Sequence, residues 1–110
     1  MIAKFVEIRN SSGYYDPNLP SHHGGSHKGR IVYGWDLREV YIDVDNISHF
    51  HTDEKCLASK DSIIEQLNLN PEVSFTKVYF KHGSTKNMTF VADTHQTYEK
   101  TQGQDHGAGQ

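Results

Sequence analysis

Glu39-Val40-Tyr41-Ile42-Asp43-Val44-Asp45-Asn46-Ile47-Ser48-His49-Phe50-His51 is the stretch whose reading sets the fold class. Val40, Ile42 and Val44 alternate with Tyr41, Asp43 and Asp45, the two-residue period of a strand with one buried face. Asp45-Asn46 is a turn signal, so Ile47 to His51 reads as a short strand bent back from its predecessor. The same period appears upstream in Lys4 to Arg9, with Val6 and Ile8 on one face and Phe5, Glu7 and Arg9 on the other. Downstream it appears twice more, in Phe75 to His82 and Asn87 to Ala92, around a turn for which Gly83 supplies the permissive backbone. Val78, Phe80, Met88, Phe90 and Ala92 are the expected core face of that hairpin. Only Ser59 to Leu67 has a helical period, with Ile63, Ile64 and Leu67 on one side, Ser62 and Glu65 at capping-box spacing, and Asn70-Pro71 beyond its end. The expected fold is mainly β: a small antiparallel sheet or partly open barrel of five to six strands with one short helix.

The chain has 110 residues, room for one small domain. Residues 1–100 are expected to form it, with a Gly/His-rich loop insertion at 10–29 and a disordered Gln/Gly-rich tail at 101–110. A structureless loop of that length inside a compact domain is usually functional or ordered by a partner. Eleven Lys and Arg against fourteen Asp and Glu leave a formal charge of −3, which argues against a general nucleic-acid or membrane-surface binder. No apolar run approaches the roughly 20 residues needed to span a bilayer, and a soluble, intracellular protein is expected. The single cysteine, Cys56, has no internal disulfide partner. Asp53 and Glu54 beside it oppose a reactive thiolate, although Lys55 pulls the other way. No cofactor motif is present.

Histidine is abundant, with eight residues, five of them in two clusters: His22, His23 and His27 in the insertion, and His49 and His51 on a strand. Alternation places His49 and His51 on one face about 7 Å apart. With His22 they have the donors for a three-histidine zinc site, and the same side chains suit acid–base cleavage of a phosphodiester. Solvated surface histidines account for the pattern equally simply, since no spaced ligand signature accompanies them. The segment from Gly29 to Arg38 concentrates Arg30, Tyr33, Trp35 and Arg38. Guanidinium forks grip phosphate and aromatic rings stack on bases, so this mixture suits a nucleotide ligand; the bland reading makes Tyr33 and Trp35 core or dimer anchors.

Stripped of its insertions, the chain runs Phe5 to Arg9, Val40-Tyr41-Ile42-Asp43-Val44-Asp45-Asn46-Ile47, Thr76-Lys77-Val78-Tyr79-Phe80 to Gly83, and Met88 to Asp93. That order resembles the small FlbD-like β domains, and it looks most like the first family of phage Thoeris anti-defence proteins. The resemblance implies an oligomer in the host cytoplasm that sequesters a cyclic ADP-ribose isomer or a related cyclic nucleotide without cleaving it. No family motif transfers residue by residue. The expected ligand residues, Arg30, Arg38, Trp35, Tyr33, His22, His23 and His27, rest on their chemistry alone. A dimer or larger is expected, because a lone small sheet leaves edges and a face uncovered. Two rival readings stand beside this one: a histidine- or metal-dependent phosphodiesterase using His22, His23, His27, His49 and His51, and a protein-binding inhibitor whose Asp43, Asp45, Asp53 and Glu54 form an acidic face.

Overall fold

The computed structural model describes residues 1–11, 13–20, 28–32 and 34–103. Along the chain these form β1 (Ile2–Asn10), β2 (Tyr14–Pro20), β3 (Lys28–Val32), β4 (Trp35–Asp43), a 3₁₀ turn (Val44–Asn46), β5 (Ile47–Thr52), α1 (Glu54–Ala58), α2 (Lys60–Leu67), β6 (Thr76–Phe80), β7 (Asn87–Phe90) and α3 (Thr94–Thr101). Five strands make an antiparallel open sheet in the order β4-β1-β7-β6-β5, and β2 pairs with β3. The mainly β class expected from the alternating runs is what the chain adopts.

The two edge strands of the sheet, β4 and β5, are joined by the three-residue turn alone. From Asp43 to Ile47 the chain reaches at most about 14 Å, at roughly 3.6 Å per residue. A flat five-stranded sheet would hold its edges about 19 Å apart at 4.8 Å per strand. The sheet must therefore curl, and its concave face becomes the main core. Phe5, Val44, Val78 and Phe90 are buried there, with Val40, Ile42, Phe50, Phe80 and Met88 packed around them. The Phe5 and Phe90 rings stack at 4.3 Å, each ring contributing about 1.5 to 3 kcal/mol by leaving water.

The convex face carries a second core, because β1 is buried on both sides. Ile8, three residues from Phe5 and so of opposite parity, joins Cys56, Ile63 and Phe75 beneath α1 and α2. Asp53 caps α1, its side chain accepting from the Cys56 amide at 3.0 Å. The helix expected from Ser59 to Leu67 is present as α2, ending in the left-handed Asn68. Of the two serines able to cap it, Ser59 occupies the N-cap, without a side-chain bond, and the capping box lies not at Ser62 and Glu65 but at Asp93 and Gln96, at the start of α3. Three short helices thus replace the single one expected. α3 packs on β5 and the 3₁₀ turn, burying Thr97 and placing the Lys100 ammonium 5.3 Å from the Phe5 ring centre.

The insertion at 10–29 differs most from its sequence reading. Its described part is a two-stranded ribbon that prolongs the β1/β4 ladder: Asn10 faces Trp35, Ser11 donates to the Gly34 carbonyl at 2.9 Å, and Tyr14 then faces Val32. Gly34 allows the close approach at that junction, since a Cβ there would strike the Ser11 hydroxyl. At Gly29, φ is +100° and the Tyr15 ring covers the glycine, so that position also excludes a side chain. Of the tail expected to be disordered, Thr101 ends α3, and residues 104–110 lie outside the described residues. No helix among the described residues is long and apolar enough to cross a membrane.

Candidate ligand cleft

The base of the ribbon and the corner between α1 and α2 flank an open cleft of about 660 Å³. That volume lies within the range of small-molecule sites. Asn10 and Trp35, cross-strand partners at the ends of β1 and β4, form its floor. β3 supplies one wall through Arg30, Ile31 and Val32. The helical corner supplies the other: Lys55 and Ala58 from α1, then Ser59, Asp61 and Ser62 at the start of α2. α2 is held there by Ile63, which is fully buried in the convex core, so the anchor of the core also fixes the wall of the cleft.

The chemistry of this lining is mixed. Arg30 and Lys55 bring two cations against the one carboxylate of Asp61, and Trp35 brings a half-buried indole whose other contacts are with the convex core. Ser59, Ser62 and Asn10 add neutral hydrogen-bonding groups. Such a set binds a planar, anionic molecule, with the ring against the indole, the negative charge at the cations and hydroxyls at the polar rim.

Of the residues expected from sequence, Arg30 and Trp35 meet in this cleft. Arg38 does not join them. On β4 it is separated from Trp35 by an odd number of positions and projects from the opposite, concave face, where Glu7 is its cross-strand partner. Its Nε and Nη2 donate to Glu7 Oε1 at 3.1 and 2.8 Å, and Glu7 is only 6% exposed. Tyr33, His22, His23 and His27 lie outside the described residues. Lys55, Asn10 and the α2 hydroxyls escaped the sequence reading because the α1–α2 corner that brings them to the ribbon was not foreseen.

The histidines expected on one strand face are there. His49 stacks on Tyr79 of β6 at 4.5 Å between ring centres, and His51 leans on the same ring at 5.5 Å. They sit on β5, three strands away from the cleft floor on β1. Among the described residues no group of three or more His, Cys, Asp or Glu side chains is placed to hold a metal ion.

Cys56 is not built as a nucleophile: burial first, and the Asp53 carboxylate second, push its thiol up to about 11. Burial also acts to raise the Asp53 pKa, but the Thr89 hydroxyl donating at 2.6 Å, the Cys56 amide, the Lys77 charge and the Lys55 amide outweigh it and hold the carboxyl below its usual value. Asp53 is therefore buried and engaged, while Asp43 and Asp45 are exposed beside the Met1 amine, so these groups do not form one acidic face. A second, smaller cleft of about 290 Å³ lies between the end of β4 and the β6–β7 turn. The Asn46 amide there is already spent on both backbone groups of His82.

No protein-family model matches the chain, and neither a curated protein nor a solved structure shows significant similarity to it.

Proposed function

We propose that this protein captures a nucleotide-type small molecule in the cleft between the ribbon and the α1–α2 corner, and holds it without cleaving it. One observation carries the reading: Arg30, Lys55 and Trp35 line the same cleft. Charge and a stacking surface are supplied together there. Sequestration of a cyclic nucleotide signal, such as a cyclic ADP-ribose isomer, in the manner of phage anti-defence proteins is the biological form of this proposal, and its setting would be the host cytoplasm. The ribbon leaves Tyr14, Tyr15 and Ile31 exposed, which favours a homo-oligomer in which a second copy covers them.

The test is calorimetry with a panel of cyclic nucleotides, followed by heating to denature the protein and chromatography of the supernatant. A capturing protein releases the ligand intact, and an enzyme of the histidine type releases fragments. Arg30→Ala and Trp35→Ala should each weaken binding by roughly tenfold or more, as expected for loss of a charge-assisted hydrogen bond or a stacked ring. Equal affinity in the wild type and both variants would remove the cleft as the site.

A further inference from the structure

We propose that His49 and His51 form a two-imidazole clamp for a borderline divalent transition-metal ion such as zinc, nickel or copper, separate from the cleft. The two residues alternate on β5 and project from the same convex face, both exposed. The register shift between Ile47 and His49 sets this parity, so that both rings come to Tyr79. The Tyr79 ring restrains both imidazoles, with His49 nearly parallel to it, at an interplanar angle of 9°.

The outer contacts of each ring suit metal binding at the remaining nitrogen. His51 Nδ1 lies 2.9 Å from the Thr52 carbonyl. A carbonyl oxygen only accepts, so Nδ1 carries the proton and Nε2 keeps its lone pair. His49 Nδ1 lies 3.1 Å from the Ser48 hydroxyl, whose oxygen accepts a hydrogen bond from the protonated Nδ1 when Nε2 is metal-bound. An imidazole whose second nitrogen donates to an oxygen is the arrangement that orients histidine ligands and raises their basicity. With two protein ligands, water completes the coordination of the ion, and imidazole selects zinc, nickel and copper over magnesium or calcium.

The full-length chain should be titrated with zinc chloride and with nickel chloride, followed by calorimetry and by NMR of the imidazole nitrogens. The variants are His49→Gln, His51→Gln and the triple His22→Ala/His23→Ala/His27→Ala. One equivalent of metal is expected, with the Nε2 signals of His49 and His51 moving together while those of His82 and His95 stay. Each β5 substitution should weaken binding by roughly tenfold or more, and the triple variant should bind as the wild type does. Because both rings are exposed and each loses only its contact with Tyr79, the metal-free melting temperature should fall by no more than a few degrees, which separates loss of the ligand from loss of the fold. Absence of binding, binding that survives both β5 substitutions, or loss of binding in the triple variant would overturn the proposal. None of these results bears on capture of a nucleotide by the cleft.

Discussion

Arg38→Ala should damage the fold and spare the cleft. Glu7 is 6% exposed and its Oε1 accepts two guanidinium hydrogen bonds. Removing the arginine leaves a carboxylate in the concave core without its cation, and breaking a fully buried pair in this way costs about 3 to 5 kcal/mol. The Arg38 side chain is 49% exposed, so solvent screens part of the interaction and water reaches part of the vacated space. A loss of about 2 to 3 kcal/mol is the expectation. For a domain of this size that corresponds to a fall in Tm of roughly 10 to 20 °C, or about 2 M in the urea midpoint for a slope near 1 to 1.5 kcal/mol per M. Urea unfolding followed by circular dichroism measures it. The double variant Glu7→Leu/Arg38→Met should recover most of the loss, because it removes both charges from the core. Ligand affinity, measured below the unfolding midpoint, should stay within about twofold of wild type. The reasoning is refuted if Arg38→Ala unfolds with the wild type, within about 0.5 kcal/mol, and loses ligand binding.

Asp53→Asn should lower stability at neutral pH and flatten its loss in acid. The native carboxyl titrates below its unfolded value of 3.8, so its contribution is complete above that value and disappears as pH falls through the lowered native one; equal acid slopes for variant and wild type would contradict this. Cys56 should react with a thiol reagent at pH 8 only on unfolding, since its buried thiol is raised to about 11. The thiol favours the native state below its unfolded value of 9.0 and this preference fades as pH climbs towards 11, a trend that Cys56→Ser should lack. Rapid labelling under native conditions would show that the thiol is not shielded.

Alternation carried the strands that pack one well-defined face. Val40 and Ile42, and then Val78, Phe80, Met88 and Phe90, all line the concave core as their spacing implies. It could not show that β1 is buried on both sides, because burial of Ile8 depends on α1 and α2 arriving from 50 residues downstream. α1 has five residues, too few for a period. α3 has no apolar stripe, and the one legible signal was the spacing of Asp93 and Gln96, whose reciprocal bonds cap it. β2 carries Asp16, Pro17 and Asn18, poor strand formers that are extended because they continue a ladder already established by β1 and β4. At the site, Arg30 and Trp35 were legible by residue type. Arg38 departs from the expectation by parity: β4 begins at Trp35, not Glu39, so positions 35 and 38 fall on opposite faces of one strand.

The curled sheet consists of two halves with separate histories. Strands β1 to β4 zip into one long ribbon, β5 to β7 into a meander, and the ladder between them is the short β1/β7 seam of Glu7 with Phe90 and Ile8 with Thr89. During synthesis from the N-terminus the ribbon is complete while the strand that will flank β1 has yet to leave the ribosome. Until then the chain carries an open edge along β1, a strand destined for the interior of the sheet, the kind of edge on which chains misassemble. The seam joins residues more than 80 positions apart, yet the three-residue turn between β4 and β5 already tethers the two formed halves, so a pairing that is distant in sequence closes only a short effective loop.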